Sequence, residues 1–301
     1  MARRSPAERR RQRWLDYPLQ GAALWALLAL FGMLPVDRAS ALGGRIARLI
    51  GPRLGASRKA LRNVERAMPE TTGEERRRIV EGMWDNLGRV AAEYPHLARI
   101  SASDERVQVT GAENLARATQ GRPAILFSAH LANWELLAPT AERMGVPLTL
   151  VYRRPNNPFA ARLIDRLRGG SPDRLVPKGR RGAKALVDAL RRGGSIALLV
   201  DQKLNDGVAV PFFGREAMTA PAPVQFALRF GAALVPVRME RLEGARFRID
   251  VLPPLEMPDS GDRDRDVLCA LARINALLEA WIRERPDQWL WLHRRWSDRN
   301  E

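Results

Sequence analysis

Of three histidines in 301 residues, His130 has the setting most suited to chemistry. The segment SAHLANWELL (128–137) places a carboxylate, Glu135, five residues after it. On one continuous helix that spacing turns the side-chain direction by about 140°, so the two groups could not meet. The apolar run PAILFSAH (123–130) reads instead as a buried strand ending at His130, followed by a turn and a helix from about residue 133. Asn133 then caps the helix, and Glu135 falls in its first turn. There the positive helix end keeps the carboxylate ionised and lets it turn back towards the imidazole. A carboxylate on one ring nitrogen fixes the tautomer and leaves the other nitrogen as a base. Such a pair takes a proton from an alcohol as the alcohol attacks an activated acyl carbonyl. No serine or cysteine nucleophile is needed. The single cysteine, Cys269, falls in a long helix expected over 262–285, which argues against an acyl-cysteine intermediate. One cysteine also excludes an internal disulfide framework and a Cys-based zinc site, and no metal is expected. Taken alone, His-x4-Glu also occurs by chance as a satisfied, partly buried histidine.

The elements that must position His130 alternate from residue 105 onward. RVQVTG, PAILFSAH, PLTLVY, SIALLVD, AALVPVRME and ARFRIDVLPP read as strands. NWELLAPTAERM, NPFAARLIDRLR with an Asn156 or Asn157 cap, GAKALVDALRRGG, APVQFALRFG and 262–285 read as helices. Short continuous apolar strands separated by helices predict an α/β fold, with a mostly parallel central sheet covered by helices on both faces. Ligands in such sheets bind beyond the carboxyl ends of the strands. Those ends carry His130, then Arg153 and Arg154, then Asp201, Gln202 and Lys203. Arg153, Arg154 and backbone N–H groups near the helix start are candidate donors to an oxyanion.

Before this unit the chain differs. Residues 1–13 carry six arginines against Glu8, and Leu19 to Leu34 is an uncharged apolar run flanked by Trp14, Tyr17 and Trp25 and ended by Pro35. A secretory signal would need a better cleavage site, and a full span usually needs about 20 apolar residues. Basic flanks on both sides favour a membrane anchor with the body on the cytoplasmic face. A buried core helix is the alternative. Residues 37–100 read as helical, with apolar positions such as Val64, Met68, Val80, Met83, Leu87 and Val90 at helical spacing and a break at Pro69. Three regions follow: a basic anchor (1–36), a helical membrane-proximal segment (37–100) and an α/β domain (101–301). Apolar residues at 46% and charged ones at 28% exclude a disordered chain. A net charge of +16 suits a polyanionic partner: nucleic acid, anionic lipid or an acidic protein.

Several ordered blocks carry a resemblance. SAHLANWELL resembles the H-x4-[DE] block of lysophospholipid-type acyltransferases. RKALRNVERAMPE (58–70), VYRRPNNP (151–158), LLVDQKLNDGVAVPFFG (198–214) and QWLWLHRRW (288–296) resemble blocks of the lipid A biosynthesis lauroyl/myristoyl acyltransferase family of Gram-negative bacteria. The match runs from about residue 15 to 297. It implies a glycerol-3-phosphate acyltransferase-like fold. It also implies transfer of a fatty acyl chain from acyl carrier protein, or sometimes coenzyme A, with no cofactor. The acceptor it implies is a hydroxyl of a Kdo-bearing lipid A precursor on the cytoplasmic side of the inner membrane. By the same resemblance His130 is the base and Glu135 its partner, Arg153 is a substrate arginine, Asn157 belongs to its block, and Asp201 and Gln202 match a D-Q pair beside Lys203. Phe212, Phe213 and Gly214 match an acyl-site loop, though the two phenylalanines also read as core. Arg154 is an insertion before Pro155, which leaves two arginines for one role. Arginine suits the phosphates of an anionic lipid acceptor. Two rivals remain. One is an acyltransferase for another acceptor, such as a lysophospholipid or glycolipid. The other is a non-catalytic basic protein bound to membrane or nucleic acid, which has no use for a His130–Glu135 pair; no nucleic-acid partner is expected.

Overall fold

The structure is a computed structural model that describes residues 5, 11–152, 154–168, 175–177 and 179–296. A π-helical turn, Gln12–Asp16, leads into helix α1 (Tyr17–Met33). Helices α2 (Val36–Ile50), α3 (Gly55–Ala67), α4 (Gly73–Glu93) and α5 (Leu97–Ser101) follow. The alternating part then runs through β1 (Val107–Thr110), α6 (Ala112–Thr119), β2 (Ala124–Ser128), α7 (Leu137–Arg143), β3 (Leu148–Tyr152) and α8 (Pro158–Arg168). It continues with β4 (Leu175–Pro177), α9 (Arg180–Arg191), β5 (Ser195–Leu199), β6 (Val208–Phe212), β7 (Arg215–Thr219) and α10 (Ala222–Phe230). Strands β8 (Ala233–Arg241) and β9 (Phe247–Val251) and helix α11 (Arg263–Glu284) complete it.

Seven strands form one sheet in the order β1-β9-β8-β2-β5-β3-β4. Every neighbouring pair is parallel except β8 with β9. This is the expected mostly parallel α/β arrangement. Side chains alternate across β2, so its two faces feed separate cores. Ile125 and Phe127 join Val64, Val80, Met83, Ile274 and Trp291 on one side. Ala124 and Leu126 join Leu97, Leu115, Leu148 and Val235 on the other. Two features differ from the sequence expectation. The short strand β4 lies outside the strands that the apolar runs predict. Residues 208–219 form a separate antiparallel hairpin, turned by Phe213 (φ 53°) and Gly214 (φ 68°). Positive φ at both turn residues matches the twist of a two-residue hairpin. Pro211 within β6 hides that strand in the sequence, because proline is confined to strands with an unpaired edge.

The helical layer is held close to the sheet. Helices α2 and α4 meet backbone to backbone at Gly43 and Gly88; a Cβ on Gly88 would lie 2.2 Å from the Gly43 carbonyl oxygen. Helix α4 opens with a capping box between Thr72 and Glu75. Among the described residues no helix is long and apolar enough to cross a membrane. Helix α1 packs Gly21 against Phe159 of α8, while Trp25, Leu27, Leu30 and Met33 stay exposed. Its Phe31 carbonyl is bonded to Nε2 of the buried His96 at 3.0 Å. On α2 and just after it, Leu42, Ile46, Leu49, Ile50 and Leu54 are also exposed, among the exposed Arg45, Arg48 and Arg53.

Under the segment after His130 lies a buried ion pair. Arg241 of β8 holds Glu93 of α4, and neither side chain is more than 7% exposed. Ser40 and Asn133 donate to the same carboxylate at 2.6 and 2.8 Å. Arg241 Nε donates to Asn86, which donates in turn to the Ala132 carbonyl at 3.0 Å. Ala132 has φ 49°, a left-handed conformation that costs energy for a residue with a Cβ and persists only when its surroundings impose it. Removing one partner of a buried pair leaves the other charge uncompensated. Arg241→Ala is therefore expected to lower unfolding stability by about 3–5 kcal/mol in urea titrations monitored by circular dichroism.

Candidate active site

Strands β2 and β5 are parallel neighbours in the register Ser128↔Leu199. Two residues beyond each partner come His130 and Asp201, so the register sets them side by side. The Asp201 carboxylate accepts from the His130 backbone N–H at 3.0 Å and meets ring Nδ1 at 2.8 Å. It also accepts from the Trp289 indole at 2.8 Å. With Nδ1 bound to a carboxylate, Nδ1 carries the proton and Nε2 is left as an acceptor, 3.2 Å from the Gln202 amide.

Burial by itself would lower the His130 pKa. The charge and hydrogen bond of Asp201, with a smaller contribution from Glu135, outweigh it and raise the pKa above 6.5. Burial likewise pushes the Asp201 carboxyl upward. His130, its backbone N–H and Trp289 outweigh that and hold Asp201 well below the usual carboxylate range.

The expected partner of His130 is thus corrected. Asn133 does cap the turn, accepting from Glu135 N–H at 3.3 Å, and a 3-10 turn Trp134–Leu136 precedes α7. Glu135, however, turns away from the imidazole. It accepts from Arg168 Nε and Nη2 at 2.7 and 2.6 Å, from Tyr94 at 2.7 Å and from Trp134 at 3.1 Å. A two-pronged guanidinium outcompetes a single imidazole N–H for a carboxylate. Arg168 also lies over the Tyr152 ring at 5.0 Å.

The remaining expected residues separate into two groups. Gln202 and Lys203 line the cavity beside His130. Arg154 instead pairs with Asp165 at 3.2 Å and is absent from the cavity wall. Arg153 lies outside the described residues. Asn157 caps α8 through Phe159 N–H and donates to the Tyr17 carbonyl, tying α8 to α1. Phe212 and Phe213 are core residues packed with Trp289, Trp291 and Trp296, and Gly214 turns the hairpin. None of these three borders the cavity. Arg168 and Tyr94 lie outside the residues expected at the site, and Trp289 and His293 belong to the block 288–296 without being singled out in it. Arg168 stands in the last turn of a helix beside Arg166, and no local signal in the sequence separates the two.

The cavity at His130 has a volume of about 810 Å³. Tyr94, Glu135 and Arg168 give it one polar wall. Leu115, Leu126, Leu148, Ala197, Val237 and Ile249 give it a long apolar one against the sheet face. An imidazole in the wall of a largely apolar cavity of this size suits a ligand with a polar end and a hydrocarbon tail.

The chain matches the family described as bacterial lipid A biosynthesis acyltransferase over residues 1–298. It belongs to that family. The acyltransferase is 28% identical over 291 residues to the Escherichia coli lipid A biosynthesis palmitoleoyltransferase, covering 91% of this chain and 89% of that one. It is 30% identical over 255 residues to the lipid A biosynthesis lauroyltransferase of the same organism, covering 80% and 78%. Among solved structures it is similar to the 1-acyl-sn-glycerophosphate acyltransferase PlsC of Thermotoga maritima, with 13% identity, a TM-score of 0.35, and coverage of 81% of this chain and 97% of that one. At that score the likeness adds nothing to the family assignment.

Because Asp201 outweighs burial at His130, removing its charge reverses the balance. In Asp201→Asn the His130 pKa is expected to fall below 6.5, and in Glu135→Gln to change less. Histidine NMR titration reads this directly. A larger shift in Glu135→Gln would contradict the assignment.

Proposed function

We propose that this acyltransferase moves a fatty acyl chain from the thioester of acyl carrier protein to a hydroxyl of a Kdo-linked lipid A precursor, with His130 as general base. The observation that carries the reading is the unprotonated Nε2 of His130, which meets Gln202 at 3.2 Å in the wall of a largely apolar cavity, its ring locked from behind by Asp201. Nε2 takes the proton as the acceptor oxygen attacks the thioester carbonyl. A tetrahedral oxyanion forms, the C–S bond breaks, and the imidazolium returns its proton to the departing thiolate. Asp201 stabilises the imidazolium without taking the proton, as its depressed pKa requires. Glu135 acts on the site through Arg168 and Tyr94, shaping the polar wall of the cavity, and its negative charge gives His130 weaker support. The apolar wall holds the acyl chain. Coenzyme A is the alternative donor, and a net charge of +16 suits an acidic donor protein and an anionic lipid acceptor alike.

The enzyme works, in this reading, at the cytoplasmic face of the inner membrane. Two helices support it: α1 with its exposed Trp25, Leu27, Leu30 and Met33, and α2 with exposed Leu42, Ile46 and Leu49 between arginines. Helix α1 has 17 residues, about 25 Å at 1.5 Å per residue, which falls short of a hydrocarbon core of about 30 Å. Apolar side chains framed by arginine fit a helix lying in the interface of an anionic leaflet.

An in vitro assay with radiolabelled acyl thioesters tests the reading. With acyl carrier protein as donor and a tetra-acylated Kdo-modified acceptor, His130→Ala is expected to lose roughly 10²–10⁴-fold in kcat/KM while its circular dichroism is unchanged. The sign of the pH dependence follows from the raised His130 pKa: a protonated ring cannot accept a proton, so wild-type kcat/KM falls as pH drops through a value above 6.5. Transfer only to lysophospholipid would point to a different acceptor. Ala197 borders the cavity on β5. Ala197→Phe fills part of that wall and is expected to shift preference towards shorter acyl chains, read by mass spectrometry of products from mixed donors.

A further inference from the structure

His293 reaches the same cavity from the far end of the chain. Its ring centroid lies 5.7 Å from that of His130. Between the two rings stands one amide. Gln202 Nε2 is 3.2 Å from His130 Nε2 and 3.0 Å from His293 Nε2. His130 presents a lone pair at Nε2, because its Nδ1 proton is committed to Asp201. Only the NH2 end of an amide carries two hydrogens for two such acceptors. His293 Nε2 must then be an acceptor too, and its ring neutral with the proton on Nδ1. The backbone of His293 is fixed independently: the buried Asn63 of α3 donates to both the Trp291 and His293 carbonyls at 2.7 Å.

We propose that His293 is a positioning residue: its unprotonated Nε2 holds the Gln202 carboxamide with the NH2 group towards His130, so that Gln202 seats the acceptor hydroxyl against the base. The proposal rests on the acyl-transfer reading of the site. The bond to His130 is the longer of the two and is the one an entering hydroxyl exchanges. The hydroxyl then donates to His130 Nε2 and accepts from the freed Gln202 N–H, while the second amide hydrogen stays on His293. If His293 is protonated, or its acceptor is lost, the amide is free to turn its oxygen towards His130. Two oxygens would then face each other where the hydroxyl must bind. Among the described residues, the charged and titratable groups that act on His293 are His130, Asp201 and Lys59. Burial and the nearby His130 and Lys59 keep it neutral near pH 7 against the opposing pull of Asp201.

The test uses the full-length protein in detergent micelles. Histidine-selective 15N NMR is tractable because the chain has three histidines. His293 is expected in the Nδ1-protonated form. In Gln202→Leu its pKa is expected to rise, since a donor to the neutral form is lost. In the acyl-transfer assay His293→Phe, which keeps a ring without an acceptor, is expected to lose about tenfold in kcat/KM for the acceptor, the scale of one hydrogen bond. His293→Gln, which keeps an acceptor, is expected to recover most of it. The acid limb of log kcat/KM should approach a slope of two in the wild type, one proton each on His130 and His293, and a slope of one in His293→Gln. An Nε2-protonated His293, or equal losses in both variants with an unchanged slope, would overturn the proposal. Absence of acyl transfer by the wild type would overturn the functional reading instead. The tautomer measurement needs no substrate and still decides whether His293 holds Gln202.

Discussion

The Asp201 carboxylate accepts three hydrogen bonds, two from His130 and one from Trp289, and so ties three separate parts of the chain together. The His130 backbone and ring arrive from the end of β2, the carboxylate from the end of β5, and the Trp289 indole from the C-terminal segment. A buried carboxylate without partners is costly enough to take up a proton. Three donors, one of them able to become a cation, keep this one ionised. The ionised state in turn fixes the imidazole tautomer, and with it the atom that faces the cavity. Loss of any of the three segments from its place would release the imidazole from that orientation.

The C-terminal segment is therefore part of the site and not merely its packing. Leu131 and Trp289 form a β-bridge, and Leu290 N–H donates to the His130 carbonyl at 3.1 Å. Trp289, Trp291 and Trp296 pack among Phe212 and Phe213, so the hairpin β6–β7 supports Trp289, the residue that donates to Asp201. Arg295 is buried in the same layer, over the Phe212 ring, and among the described residues it bonds neutral acceptors on Met218, Thr219 and Asn275. Burial lowers its pKa to about 10, against the opposing charge of Asp201, so it remains a cation near neutrality.

The helical layer serves the site by a second route. Asn86 and Glu93 on α4 hold the segment 132–133, Tyr94 reaches Glu135, and Asn63 on α3 holds residues 291 and 293. The same layer carries the exposed apolar side chains of α1 and α2. An element that meets the surroundings on one face thus contacts the segments around His130 on the other. The close backbone crossing at Gly43 and Gly88 leaves little freedom between α2 and α4. The polar network of Arg241, Glu93, Ser40, Asn86 and Asn133 makes the same point chemically, because its members are satisfied only in one arrangement.

The sequence by itself determined the alternating strands and helices, the position of His130 at a strand end, the Asn133 cap and the gathering of polar residues at the carboxyl ends of β2 and β5. These follow from local periodicity and from the general geometry of parallel sheets. Only the tertiary structure decided which carboxylate touches the imidazole. Glu135 is near in sequence, but a guanidinium from α8 claims it. Asp201 is 71 positions away and arrives by the register of two strands. Register depends on how whole faces pack, and no local pattern encodes it. For the same reason Arg168 and His293 could not be singled out from the other basic residues: what distinguishes them is the neighbour each meets, and that neighbour is set by the fold.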